Sequence, residues 1–245
     1  MKMKKHLLLA LYLLICLYAN AQEYAFGIKG GFNYYNIGDI NSRGGSIQIG
    51  KPDETFSPNK ELGTQFGAFL NIAFNNLFFR PELNFATHKN NYNFPIKTSK
   101  WNASKINVPL LIGYKVFDPI SIYTGPSINF FKDMTIEGAN NIAGRSPIIY
   151  EKTVTNIHFG IQAEFKYVGV DLRYELGIKE TQGEHGDNYQ DFHNSAYGIN
   201  IADIWPYTPS QISLSLNVYL FRTEEGEIKG FFSNLFKGNK CYCPG

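Results

Sequence analysis

Cysteine is nearly absent from this 245-residue chain, which has only Cys16, Cys241 and Cys243. The last two are separated by one residue near the C-terminus, which is a poor framework for a disulfide-stapled fold. Long apolar runs are missing as well. Beyond residue 21 nothing approaches the ~18 uninterrupted apolar residues that mark a spanning helix, so a helical membrane protein is excluded. An excess of one charge sign is also lacking. Twenty-three Lys and Arg face 21 Asp and Glu, and three of those lysines fall within the first five residues. Without residues 1–21 the acids outnumber the bases by one, and the pI of 8.3 belongs to the longer chain. No clustered basic surface argues for nucleic acid as a partner.

The first 21 residues read as a secretory leader. Lys2, Lys4 and Lys5 precede an apolar run from Leu7 to Tyr18, and Ala19-Asn20-Ala21 supplies small residues for cleavage before Gln22. That run is too short to span a bilayer. Ile15 stands before Cys16 where a lipoprotein signal would have a small residue.

What the chain does contain is alternation. Hydrophobic residues make up 44% of it, yet its mean hydropathy is −0.23, as expected when half of every strand is polar. Eight segments alternate strictly, at about 24–35, 63–74, 77–88, 105–116, 120–130, 154–165, 168–178 and 210–221. Each has the ~9–11 residues that a tilted strand needs to cross a bilayer. One face carries, for example, Phe66, Ala68, Leu70, Ile72 and Phe74, then Val168, Val170, Leu172, Tyr174, Leu176 and Ile178. The other carries Lys29, Arg80, Glu82, Lys115, His158, Glu164, Asp171, Arg173 and Glu175 among Asn and Gln. Gly27, Gly31, Gly67, Gly113, Gly125, Gly160, Gly169 and Gly177 share this charged face. Bulky side chains in a narrow lumen need small neighbours, so the charged face is expected inside and the apolar face toward lipid. A soluble, lipocalin-like barrel would have to turn these faces round.

The connections alternate too. Asn75-Asn76, Phe117-Asp118-Pro119 and Lys166-Tyr167 are tight turns, whereas residues 36–62, 89–104, 131–153 and 179–209 read as long loops. This is the periplasmic and extracellular asymmetry of an eight-stranded, antiparallel, up-and-down transmembrane β-barrel, with both termini in the periplasm. Two aromatic belts are expected. Phe74, Phe78, Phe117, Tyr167, Tyr219 and Phe221 would form one, and Tyr34, Tyr35, Tyr92, Phe94, Phe130, Phe131 and Tyr150 the other. The expected organisation is a leader at 1–21, a barrel at 22–221 and a periplasmic tail at 222–245.

Gly27-Ile-Lys-Gly-Gly-Phe-Asn33, Phe79-Arg-Pro-Glu-Leu-Asn-Phe85, Ile106-Asn-Val-Pro-Leu-Leu-Ile-Gly113, Tyr123-Thr-Gly-Pro-Ser-Ile128 and Gly169-Val-Asp-Leu-Arg-Tyr-Glu-Leu-Gly177 resemble the PorT-like outer-membrane β-barrel proteins abundant in Bacteroidetes. The resemblance implies an outer-membrane barrel domain whose members mostly lack an assigned activity. The member that names the family is associated with protein secretion, a role that barrel strands alone do not transfer. Barrels of this kind usually end on their last strand, but here 24 residues follow Phe221.

Site candidates are few. Lys29, Arg80, Glu82, Lys115, Glu164, Asp171, Arg173 and Glu175 read as a lumen salt-bridge network, in preference to a proton or ion path. His158, with Glu164 on the same face and Ser127 as the available nucleophile, would be needed for a lipid-modifying enzyme, and polar lumen filler is the preferred reading. His185, Asp187, Asp191 and His193 have metal-ligand chemistry but match no defined metal spacing, and Trp205-Pro206-Tyr207 would anchor their loop. Asn90 to Phe94 and Asn140 to Ser146 are loop tips suited to recognition. In the tail, Phe231, Phe232, Leu235 and Phe236 suit a short amphipathic helix or a plain extension, and Cys241 and Cys243 offer metal or cross-link chemistry. No cofactor motif is present.

The expected function is therefore non-enzymatic: a barrel of structural or interaction type, with membrane lipid around it and loops and tail free for partners. An accessory role in a secretion or uptake complex is the alternative. Composition does not specify an oligomeric state.

Overall fold

The structure, a computed structural model, describes residues 23–43, 53–138, 140–141, 152–181 and 192–223. The leader, the tail from residue 224, Ile142 to Ser146, Tyr150, His185, Asp187 and Asp191 lie outside the described residues.

Eight strands carry the fold: β1 (Glu23–Asn36), β2 (Gly63–Phe74), β3 (Leu77–Asn93), β4 (Thr98–Phe117), β5 (Ile120–Ile136), β6 (Thr153–Glu164), β7 (Val168–Gly177) and β8 (Ser210–Arg222). Each pairs antiparallel with its successor, and β1 pairs with β8, so the sheet closes into an eight-stranded up-and-down barrel. Closure leaves no unpaired edge at the level where water is excluded. Asn75-Asn76, Asp118-Pro119 and Lys166-Tyr167 turn the chain at one end. Asn75 takes the left-handed conformation, φ 54°, that a two-residue hairpin requires and that Asn tolerates. The described chain also begins and ends there, with Ala25 opposite Arg222.

The alternation places grease outside and charge inside. Phe66 and Leu214 are 64% and 52% exposed, while Arg80 and Asn217 are 0% exposed. Cross-strand register locates the upper limit of the apolar band on one side. Phe66, Phe85, Ile106 and Phe130 sit side by side across β2 to β5. One step further, Thr64 meets Thr87 with hydroxyls 3.0 Å apart, and Thr87, Ser104 and Asp133 continue that row. The next row is Glu61, Lys89, Asn102 and Thr135. Apolar surface gives way to polar surface within two residues.

The strands do not stop at this boundary. Residues 89–104, expected as a long loop, instead extend β3 and β4 into a hairpin that turns at Phe94 to Lys97, and β5 runs on to Ile136. The physical reason is an exchange of faces. Above the boundary the outward positions Lys89, Asn91, Lys100 and Asn102 are polar, and inward Tyr92, Trp101, Ala103 and Phe131 are apolar and buried. The lipid-facing pattern therefore ends where the strands continue.

These inward residues close over a second core. Tyr35, Ile37, Ile40, Tyr92, Trp101 and Phe131 pack with Tyr197, Ile199 and Ala202. Above them lies a five-stranded sheet, ordered Glu54–Phe56, Ile40–Arg43, Ile199–Ile204, Phe192–Asn194, Asn140–Asn141. The residues expected as the loops 36–62 and 179–209 supply four of those strands and fold as a cap. Two further expectations are corrected. Asn90 to Asn93 is strand rather than loop tip and Phe94 begins the turn that follows, with Tyr92 and Phe94 buried. The belts lose Tyr35, Tyr92, Phe94 and Phe131 to the cap core, and Phe78 and Tyr219 to the lumen, while Tyr34, Phe130, Phe117, Tyr167 and Phe221 remain outward.

Candidate functional site

The lumen is built from one inward residue in every two. Lys29 of β1, Arg80 and Glu82 of β3, and Asp171 and Arg173 of β7 meet in a single layer, all buried. Arg173 donates through Nη1 and Nη2 to the two oxygens of Glu82 at 2.8 and 2.9 Å, and its Nη2 reaches Asp171 Oδ2 at 2.8 Å. Lys29 Nζ bridges Asp171 at 3.0 Å and Glu82 at 3.3 Å. Arg80 Nε lies 3.1 Å from Glu82 and its guanidinium covers the Phe69 ring at 3.9 Å. Asn84 donates to Glu82 at 2.9 Å, and Tyr123 accepts from Arg173 Nε at 2.8 Å while donating to Asp171. In this layer three cations share two carboxylates, and most of the charges are hydrogen-bonded as well as paired, which offsets the cost of desolvating them.

Glycine makes the layer possible. Gly160 faces Tyr123, Gly113 faces Phe78 and Gly27 faces Phe69 in cross-strand register. A Cβ at any of the three would overlap the opposite ring. These three glycines are thus the spaces into which the lumen aromatics Tyr123, Phe78 and Phe69 lie down.

A second layer centres on Glu175, which accepts from Lys105 Nζ at 2.7 Å and from Asn156. His88 sits above it, its Nδ1 2.8 Å from Asn33 Oδ1 and its ring stacked 4.4 Å from Tyr35. Trp101 stacks on the far side of Tyr35, so the cap core rests directly on the polar lumen.

Two of the residues expected in the network lie elsewhere. Lys115 is exposed near the tight turn and pairs with Asp118 at 2.5 Å, because the inward face of β4 has reached the open mouth by that point. Glu164 also stands at the mouth, paired with Arg222 and accepting from Gln162 at 3.2 Å. Gln162 in turn accepts from Arg80, so a polar chain runs Arg80, Gln162, Glu164, Arg222 from the central layer outward. A cavity of about 290 Å³ opens beside it, lined by Lys115, Asp118, Ser121, Glu164, Lys166 and Arg222 among others. Lys105 and His88 were missed by the sequence reading. Both have the inward parity of their strands, but each lies at the end of its expected segment.

His158 and Ser127 do come together, Nε2 to Oγ at 2.7 Å, on neighbouring strands. Glu175 faces His158 across the next register. Among the described residues His158 Nδ1 has no hydrogen-bond partner, the Glu175 carboxylate is taken up by Lys105 and Asn156, and Ser127 and His158 are 2% and 1% exposed. Nucleophilic chemistry needs a substrate within reach of the serine, and this serine is packed in a filled barrel. His193 lies in the short strand Phe192–Asn194, whereas the other three metal candidates of that loop fall outside the described residues.

A family model described as the outer membrane protein beta-barrel domain matches residues 20–182. The chain belongs to that family. An outer-membrane location accounts for the reversed polarity of the barrel, whose surface would not be stable in water. Similar solved structures include Neisserial surface protein A, 11% identical over 79% of this chain and 96% of that one, with a TM-score of 0.42. Ail, the attachment invasion locus protein of Yersinia pestis, in complex with the heparin analogue sucrose octasulfate, is 11% identical over 82% of this chain and 99% of that one, with a TM-score of 0.37. At such identity the likeness concerns the fold alone, and membership rests on the sequence match. Comparison with curated proteins gives no match.

Proposed function

We propose that this outer-membrane barrel is a non-enzymatic protein of structural and interaction type that presents its folded cap to the outside. The observation that carries this reading is the filling of the lumen: two charged layers braced across the barrel and, above them, an apolar core of Tyr35, Trp101 and Phe131. The large rings of Tyr35, Trp101 and Phe131, all buried, pack directly above the charged layers and stand in the path of an ion leaving them. In this reading the tight turns and both termini face the periplasm, the leader 1–21 is removed on export, and Lys29, Arg80, Glu82, Lys105, Asp171, Arg173 and Glu175 are structural. Planar-bilayer recordings of the pure protein test it. No steady conductance is expected, and large, stable openings would overturn the reading.

A second reading, an accessory role in a secretion or uptake complex, is favoured by one feature. Glu23 and Arg222, next to the two ends of the described chain, both line the cavity at the tight-turn mouth, so a periplasmic partner would meet the cavity and the tail together. Co-purification from gently solubilised membranes, compared between the full chain and a chain ending at Thr223, tests this. A partner retained equally by both would rule out the tail as the point of engagement.

A further inference from the structure

The panel formed by the upper halves of β3, β4 and β5 stands above the apolar band with its inner face covered by the cap core and, among the described residues, its outer face exposed. On that outer face Lys89, Lys100 and Lys132 are all exposed. Lys89 lies opposite Asn102, two residues along β4 from Lys100, so the two ammonium groups rise from adjacent strands. Lys132 sits at the irregularity where β5 passes from Phe131 to Asp133, and its Nζ lies 6.0 Å over the Phe85 ring, in the last apolar row. The three lysines therefore occupy the first polar rows above the lipid-facing aromatics. Three acids share the surface: Glu61, opposite Lys89, accepts from Asn91, Asp133 accepts from Ser104 at 3.5 Å, and Glu137, whose N–H donates to the Lys100 carbonyl, stands 4.0 Å from the exposed Lys97. With Lys97 counted, four lysines face these three acids.

We infer that this panel binds the phosphate groups of a phosphorylated glycolipid in the surrounding leaflet. The inference rests on the proposed orientation, with the cap outside. Phe66 and Phe85, stacked 5.2 Å apart directly below, offer a flat apolar floor for the acyl chains of the same molecule. Headgroup and chain contacts thus lie in the vertical order that a lipid presents, which a free phosphate would not use. Long lysine side chains on a flat sheet reach a phosphate lying in the headgroup plane without burying their own charge.

The test uses the full chain in detergent and diphosphoryl lipid A as the probe, with retention measured by native mass spectrometry. The wild-type protein should retain the lipid, and K89Q/K100Q/K132Q should lose affinity by roughly tenfold or more, each headgroup-facing lysine contributing. K115Q/K166Q, at the opposite mouth, should retain it. Equal retention by the triple variant, or equal retention of fully dephosphorylated lipid A by the wild type, would overturn the inference. Orientation is tested separately by labelling Lys100→Cys on intact cells with an impermeant maleimide, in a chain carrying Cys241→Ser and Cys243→Ser. Absence of labelling would overturn the orientation and the inference with it. Labelling together with unchanged lipid retention in the triple variant would overturn the inference alone.

Discussion

Arg173 and Glu82 form a two-pronged ion pair across the full width of the barrel, from β7 to β3, which stand opposite one another in the eight-strand ring. Lys29, two strands from each, closes the triangle through Asp171 and Glu82. The barrel wall is thus held by its backbone ladder and by struts through its centre.

Removing one strut leaves charge stranded. Arg173→Met should destabilise the barrel by about 3–5 kcal/mol, because Glu82 and Asp171 lose their principal partner while buried. The midpoint of heat-modified migration on gels measures it, and an unchanged midpoint would show that the network bears no load.

The glycine sockets should behave as coupled pairs. Gly113→Ala drives a methyl into the Phe78 ring and is expected to cost ~1–3 kcal/mol. Phe78→Ala in the same chain should recover part of that loss, giving a coupling energy above ~0.5 kcal/mol in a double-mutant cycle. Strict additivity would mean that the two residues do not share the space.

The polar boundary can be located by arginine scanning. Leu214→Arg, in the middle of β8 and facing lipid, should cost ~2–4 kcal/mol, whereas Thr87→Arg, one row above the aromatic band, should cost ~0–1 kcal/mol. Equal costs in urea unfolding from vesicles would place the boundary elsewhere.

Cap and barrel should separate in stability. Trp101→Ala removes a buried ring from the cap core, a loss of ~3–5 kcal/mol. Added protease is expected to nick the hairpin at Phe94 to Lys97 while the gel midpoint of the barrel stays within a few degrees of wild type. A matching fall in that midpoint would show that cap and barrel unfold as one unit.

Much of this architecture was legible in the alternation. Phe66 and Leu214 outward, Arg80 and Asp171 inward, and the turn at Asn75-Asn76 follow from a period of two and from residue size. Trp101 and Tyr92 were not legible, because an apolar residue of inward parity reads as a break in a lipid-facing pattern unless a cap is known to lie over it. Lys105 and Lys115 have the same parity on the same strand, yet one is buried on Glu175 and the other is exposed beside Asp118. Their difference is height along the barrel, which alternation does not record.

The sequence by itself determined which face of each barrel strand meets lipid, how many strands the barrel has and which connections are tight, since these depend on local periodicity and turn chemistry. Only the tertiary structure decided which charges pair, which glycine receives which ring, and that three strands rise past the membrane to carry a cap. Those outcomes depend on stagger and closure, which bring β3 against β7 and Gly160 against Tyr123 through space that no local pattern encodes.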